Sequence, residues 1–261
     1  MCQGAKAEDE GKSTSDLAAA AQNPVAAMIN LPFQNNTYFG VVDDDVANVL
    51  NIQPVIPINV GDWNVITRTI VPLVSVPNLT PGLEDLPSQQ SAGQAFGLGD
   101  INFTAFLSPA DPGSVIWGVG PTLTVPSATA AETGSGKWSA GPSAVALVTP
   151  KPWVAGALVR NIWSFAGDSD SDSVNQLLIQ PFVNYNLPDG WYFTSSPVIT
   201  ANWTEEPDER WTVPIGGGFG KIFRIGDQAM NAQVQSFYYA DAPSLGPDWA
   251  LRFQLQFLFP R

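Results

Sequence analysis

Trp249–Phe259 reads WALRFQLQFLF, and RFQLQFLFPR (252–261) ends the chain. Trp249, Leu251, Phe253, Leu255, Phe257 and Phe259 share one parity, and Ala250, Arg252, Gln254 and Gln256 share the other. Successive side chains of a strand point to opposite faces, so this segment has one strongly apolar face and one polar face. Whether the apolar face meets a protein core or lipid decides the fold.

Composition leans towards lipid. Of the 261 residues 44 % are hydrophobic and 13 % charged, the latter about half the usual share for soluble domains. No run approaches the ~18 apolar residues of a spanning helix, so any crossing of a membrane must use strands. The net charge of −13, from 24 acidic and 11 basic residues, argues against nucleic acid as a partner, because phosphate contacts need Lys and Arg. Cys2 is the only cysteine and can form no internal disulfide. It lacks the Leu and Gly expected before a lipidated cysteine. Ala5-Lys6-Ala7 matches the end of a secretory signal, and residues 1–22 are expected to combine a truncated export signal with a short periplasmic helix, TSDLAAAAQNP, stopping before Pro24.

Beyond that helix the chain breaks into twelve alternating segments: near 31–41, 48–58, 63–74, 98–107, 115–125, 137–148, 152–165, 175–186, 190–202, 210–221, 228–239 and 249–259. Each is about the 9–11 residues of a tilted spanning strand. Their connections alternate. NVGD, SPADPGS, TPK, LPDG and FRIGDQ are tight; VVDDDVA, the stretch 75–97, PSATAAETGSG, AGDSDSDS, TEEPDE and ADAPSLGP are longer or more acidic. Asp43, Asp44, Asp45, Glu84, Asp85, Glu132, Asp168, Asp170, Asp172, Glu205, Glu206, Asp208, Glu209 and Asp241 all fall on the long-loop side. An even strand count, sorted loops and both termini on the short-turn side describe an all-β, transmembrane, antiparallel up-and-down barrel of about 12 strands over residues 23–261.

The tryptophans suggest two aromatic girdles at the membrane interfaces. Trp63, Trp117, Trp153 and Trp191 follow short turns; Trp138, Trp163, Trp203, Trp211 and Trp249 adjoin long loops. Parity predicts a wet, amide-lined interior. The candidate lumen residues are Asn51, Gln53, Arg68, Asp100, Gln180, Asn184, Arg210, Gln233, Gln235, Arg252 and Gln254. Opposed charges among them would either tune selectivity or pair and plug the barrel. Pro54, Pro57, Pro72, Pro121, Pro142, Pro181, Pro197 and Pro214 interrupt proposed strands and call for bulges. At Arg160-Asn161 two polar neighbours cannot both face inward.

The phrases NPVAAMINLPFQNN, LNIQPVIPINVGDWNVITRTIVPL, GLGDINFTAFLSP, IWGVGPTLTVPSAT, WSAGPSAVAL and NIWSFAGD resemble a family of Gram-negative outer-membrane proteins described as transporters. Some members are labelled neuromedin U, and the family is similar to the proteins named for the meta-pathway of phenol degradation. The resemblance runs from about Leu17 to the C-terminus. It implies a barrel in the bacterial outer membrane that passes small molecules, with no catalytic motif to carry over. It makes outer-membrane lipid, lipopolysaccharide, a small-molecule solute and the barrel assembly machinery the expected partners. Pro260-Arg261 after Phe259 departs from the aromatic last residue common in such barrels.

The chain has no histidine, so mechanisms that need His as general base are not expected. Nor is any enzyme activity, cofactor or metal. Asp168, Asp170 and Asp172 have the spacing that opens a calcium loop, but Ser173 and Ile179 occupy the later Gly and Glu positions; a solvated acidic loop is expected. Gly216–Gly220 (GGGFG) lacks the following Lys-Ser/Thr of a phosphate loop and reads as a kinked or crowded wall. The leading expectation is passive passage of small aromatic or apolar solutes. The alternatives are a structural or surface-interaction barrel whose acidic loops bind divalent cations or lipopolysaccharide, and a soluble β-sandwich or lipocalin-like binder.

Overall fold

The computed structural model describes residues 14–84, 86 and 88–260, with side chains from Leu17 onward. Cys2, Ala5-Lys6-Ala7 and Asp85 lie outside the described residues. A short helix, α1 (Thr14–Ala21), precedes fifteen strand segments. These are β1 (Ile29–Val41), β2 (Asp45–Ile52), β3 (Val55–Val60), β4 (Trp63–Val76), β5 (Ala95–Leu98), β6 (Ile101–Pro109), β7 (Ile116–Val125) and β8 (Lys137–Val148). Then follow β9 (Trp153–Gly167), β10 (Asn175–Asn186), β11 (Trp191–Ser195), β12 (Ile199–Asn202), β13 (Trp211–Ile225), β14 (Gln228–Asp241) and β15 (Trp249–Phe259).

Three pairs of segments are interrupted single strands. β2 and β3 keep one register against β4 across Gln53-Pro54, and β11 and β12 keep one register against β10 across residues 196–198. β5 and β6 both pair with β4, offset by one residue at Gly99-Asp100. The result is a closed antiparallel barrel of 12 strands. β15 pairs with β1 from Phe39↔Trp249 to Ile29↔Phe259, and β9 with β10 completes the ring. Closure satisfies every strand edge, which lipid would otherwise leave unpaired.

The prolines behave less uniformly than expected. Pro54 and Pro197 sit in the interruptions, and Pro214 at a register shift. Pro72 faces the one-residue offset at Gly99-Asp100, where its carbonyl accepts the Gly99 N–H at 2.8 Å, whereas Pro57, Pro121, Pro142 and Pro181 lie in unshifted ladders, which corrects the expectation of bulges throughout. Pro121 and Pro142 pair directly with one another. Each lacks the N–H that would reach the strand on its other side, so β6 and β9 lose ladder bonds there while the register survives.

Burial alternates along β15: Trp249, Leu251, Phe253 and Phe259 are exposed, and Ala250, Arg252, Gln256 and Leu258 are buried. Phe253 is half exposed at 50 %, as an outward residue awaiting lipid must be. At Arg160-Asn161 the parity resolves simply. Arg160 turns inward and donates to Asn102 Oδ1 at 3.0 Å, while Asn161 faces outward and bonds Asn175 and the Trp203 indole N–H, each at 3.1 Å.

The interior is more apolar than parity suggests. Leu17 and Ala18 of α1 pack with Met28, Tyr192, Ile222, Ala229 and Leu258 at the short-turn end, and reciprocal amide bonds of 2.9 and 3.2 Å join Gln22 to Asn186. Val25 continues into a cluster with Ile66, Phe106, Leu158, Phe182 and Val198. Tyr192 needs Gly220: a Cβ there would lie 2.3 Å from the phenol ring and hydroxyl. Gly216 and Gly218 would likewise press Cβ atoms onto carbonyls of β14, at 2.0 and 1.9 Å, so the glycine run is a crowded wall. Gly220→Ala is expected to cost about 1–3 kcal/mol through overpacking. The check is an earlier loss of the folded, heat-modifiable band on semi-native gels; an unchanged transition would show that the ring moves freely.

Candidate functional site

The lumen is closed from the long-loop side by the described residues of the connection between β4 and β5, 77–84, 86 and 88–94. Two of its leucines fold inward: Leu83 and Leu86 are buried beside Tyr38, Val41, Val74, Val76 and Ala250. Between them Glu84 is carried into the barrel, where its Oε2 meets Arg252 Nη2 at 2.8 Å. Its Oε1 accepts bonds from Asn36 at 3.1 Å and Gln34 at 3.3 Å. Arg252 Nε donates to Asn36 Oδ1 at 2.8 Å, and Nη1 to the Ser196 carbonyl at 2.9 Å. The guanidinium also lies 4.9 Å from the Phe237 ring centroid.

That carbonyl is available because the β11–β12 interruption turns Ser196 inward, where its N–H and Oγ bind Gln235 Oε1 at 3.0 and 3.2 Å. The pair is largely removed from water, with side-chain exposures of 5 % for Arg252 and 11 % for Glu84. Desolvating two charges is costly and is offset only where their remaining donors and acceptors are met; here Arg252 spends Nε, Nη1 and Nη2 on separate acceptors. Such a network contributes register more than net stability: it specifies where residue 84 must sit.

A second connection braces the first. Gln89 accepts the Thr80 N–H at 2.6 Å and donates to the Glu132 carbonyl at 2.7 Å. The Gln90 N–H reaches the Ala131 and Gly134 carbonyls at 3.0 and 3.1 Å. Asp100, expected as a lumen charge, accepts the Ala128 and Ser135 N–H groups at 3.2 and 2.7 Å and the Ser135 hydroxyl at 2.7 Å. It therefore ties residues 126–136 to the barrel.

Most of the other candidates occupy inward positions in tiers. Asn51, Gln34, Gln254 and Gln233 stand opposite one another on β2, β1, β15 and β14; Asn36, Arg252 and Gln235 form the next tier. Arg68 donates to Gln53 at 2.7 Å. Gln180 and Asn184 share the inward parity of β10. Arg210 lies elsewhere, just before β13 at the long-loop rim, with its guanidinium 5.4 Å from the Trp203 ring. Gln34, Gln53, Arg68, Glu84, Arg160 and Gln180 surround a mid-lumen void of about 30 Å³, room for about one or two waters. The tryptophans occur near the strand ends, in edge contacts such as Trp63–Trp117 at 6.1 Å and Trp203–Trp211 at 5.7 Å.

Sequence reasoning missed Glu84 as an interior group, placing it among the loop acids. It also left Asn36 unassigned, because Asn35-Asn36 gives no parity signal. The available clue to Glu84 was Leu79, Leu83 and Leu86 in a connection too long and too greasy for a solvated loop.

With the geometry in hand, the similarity to solved structures has a clear meaning. An outer membrane channel from Pseudomonas putida F1 superposes with a TM-score of 0.65 at 18 % identity, covering 91 % of this chain and 97 % of that one. The fold is that of an outer-membrane β-barrel. This agrees with the expected location in the bacterial outer membrane. The monoaromatic hydrocarbon channel CymD aligns over 97 % of this chain and 94 % of its own at 11 % identity, with a TM-score of 0.47. No family model matches the sequence, and no curated protein matches it; the narrower family expected from the sequence phrases is supported only as far as outer-membrane barrels in general. One expectation is corrected. Outer membrane phospholipase A from Escherichia coli, an enzyme, is among the matching barrels at 12 % identity and a TM-score of 0.44, covering 96 % of this chain and 99 % of its own. Barrels of this kind include an enzyme, and the expectation that this chain is not one is withdrawn.

Proposed function

We propose that the barrel is an outer-membrane channel for small aromatic or apolar solutes, held shut in this conformation by residues 77–94. The observation that carries the reading is how the lumen is filled. Its centre is blocked by a loop seated through Glu84 and Arg252, a device that can leave, whereas a purely structural barrel of this size can be filled by wall side chains alone. The inward apolar cluster around Ile66, Phe106, Leu158 and Phe182 suits a solute with little charge, and the likeness to a channel-forming barrel supports the same reading. Planar-bilayer recording is the test. The native barrel is expected to give rare, brief openings, and a variant with residues 79–89 replaced by a short Gly-Ser linker to give steady conductance. A folded, loop-excised barrel that passes neither ions nor apolar solutes would end the proposal.

A further inference from the structure

Above the plug lies a cavity of about 330 Å³. One wall is apolar, from Leu79, Leu83 and Leu86 of the plug and Leu245 of the opposite rim. The other carries Gln176, Ser88 and Arg210. On these three residues Gln176 Oε1, Ser88 Oγ and Arg210 Nε are shielded from solvent and have no hydrogen-bond partner among the described residues. Gln176 is only 4 % exposed. Buried polar atoms are nearly always paired, and three orphans on one cavity, one an acceptor, one a donor and one a hydroxyl, point to a ligand that supplies the missing partners. Asp172, Glu205 and Glu209 line the same space and disfavour an anion.

We propose that this cavity is the entry site for a neutral molecule with an apolar body and a single hydroxyl: the body rests on the leucines, and the hydroxyl donates to Gln176 Oε1 and accepts from Arg210 Nε. The assignment of entry rests on the channel reading, whereas binding itself does not. The plug supplies the floor of the site, so a bound solute touches the element that must move.

The test is calorimetric titration of the full chain in lipid nanodiscs, with empty nanodiscs as blank, using 2-naphthol, naphthalene and 2-naphthoate. Saturable binding is expected in the order naphthol, naphthalene, naphthoate. Gln176→Met, which keeps an unbranched side chain but removes the acceptor, is expected to weaken 2-naphthol about fivefold and naphthalene by less than about twofold, the scale of one net hydrogen bond. Leu245→Trp, filling the cavity from an exposed rim position, is expected to abolish binding of both without touching the core. The proposal is overturned by no binding above the blank, by naphthoate binding as tightly as naphthol, or by Gln176→Met weakening both neutral probes equally. Binding that persists in a barrel with no conductance would instead refute the channel reading and leave the site standing.

Discussion

Arg252→Ala is expected to unseat the plug. It removes the counter-ion from Glu84 and leaves the acceptors on Asn36 and Ser196 without their donor. Breaking a buried ion pair by deleting one partner costs about 3–5 kcal/mol, which shifts the balance between seated and free loop by roughly 10²–10³-fold or more. The barrel wall loses no ladder bond, so the fold should survive while the lumen opens. Single-channel recording should show long openings, and a cysteine at Leu83, on a background with Cys2→Ser, should become reactive to a membrane-impermeant thiol reagent. Equal protection of that cysteine in both proteins would show that the ion pair does not hold the loop. The double replacement Glu84→Leu with Arg252→Leu has the opposite expectation. Exchanging a buried pair for apolar side chains is commonly neutral or stabilising, so the plug should stay seated.

Phe253→Arg should damage the neighbouring face. Phe253 stands one residue along β15 with its ring outward, opposite Asn35 on β1 and Val234 on β14. An arginine at the middle of the lipid-facing belt costs about 2–4 kcal/mol in a transmembrane barrel, whereas Gln254→Arg on the inward parity should be tolerated far better. Refolding into lipid vesicles at graded urea gives both values. Equal losses for the two variants would mean that β15 does not separate lipid from lumen, and with it the account of the C-terminal strand would fall.

How much was legible in advance follows from the range of each interaction. The twelve spanning segments near 31–41 through 249–259 match the observed strands within a few residues, because the two-residue period and the turn residues are local signals. The inward parity of Arg252, Gln254 and Gln235 and the outward parity of Trp249, Leu251 and Phe253 followed from the same alternation. Asp100 was harder to read, since its role depends on the N–H groups of Ala128 and Ser135, some thirty residues away. Glu84 was misplaced because nothing local distinguishes a loop carboxylate in water from one drawn into a barrel. The expected bulges at Pro57 and Pro181 did not form, because a closed ladder tolerates one lost bond without changing register.

Alternation of apolar and polar residues, with short and long connections sorted to opposite ends, was enough for the sequence alone to determine a closed barrel, its strand number and the outward face of most strands. Those properties follow from strand geometry and from lipid's refusal of unpaired backbone. Only the tertiary structure decided that the lumen is shut. That outcome depends on bringing Glu84 to Arg252 and Asn36, residues on a loop and two strands that meet only once β15 has closed against β1. The ion pair has no signature in the sequence because its energy exists only in the desolvated interior that closure creates.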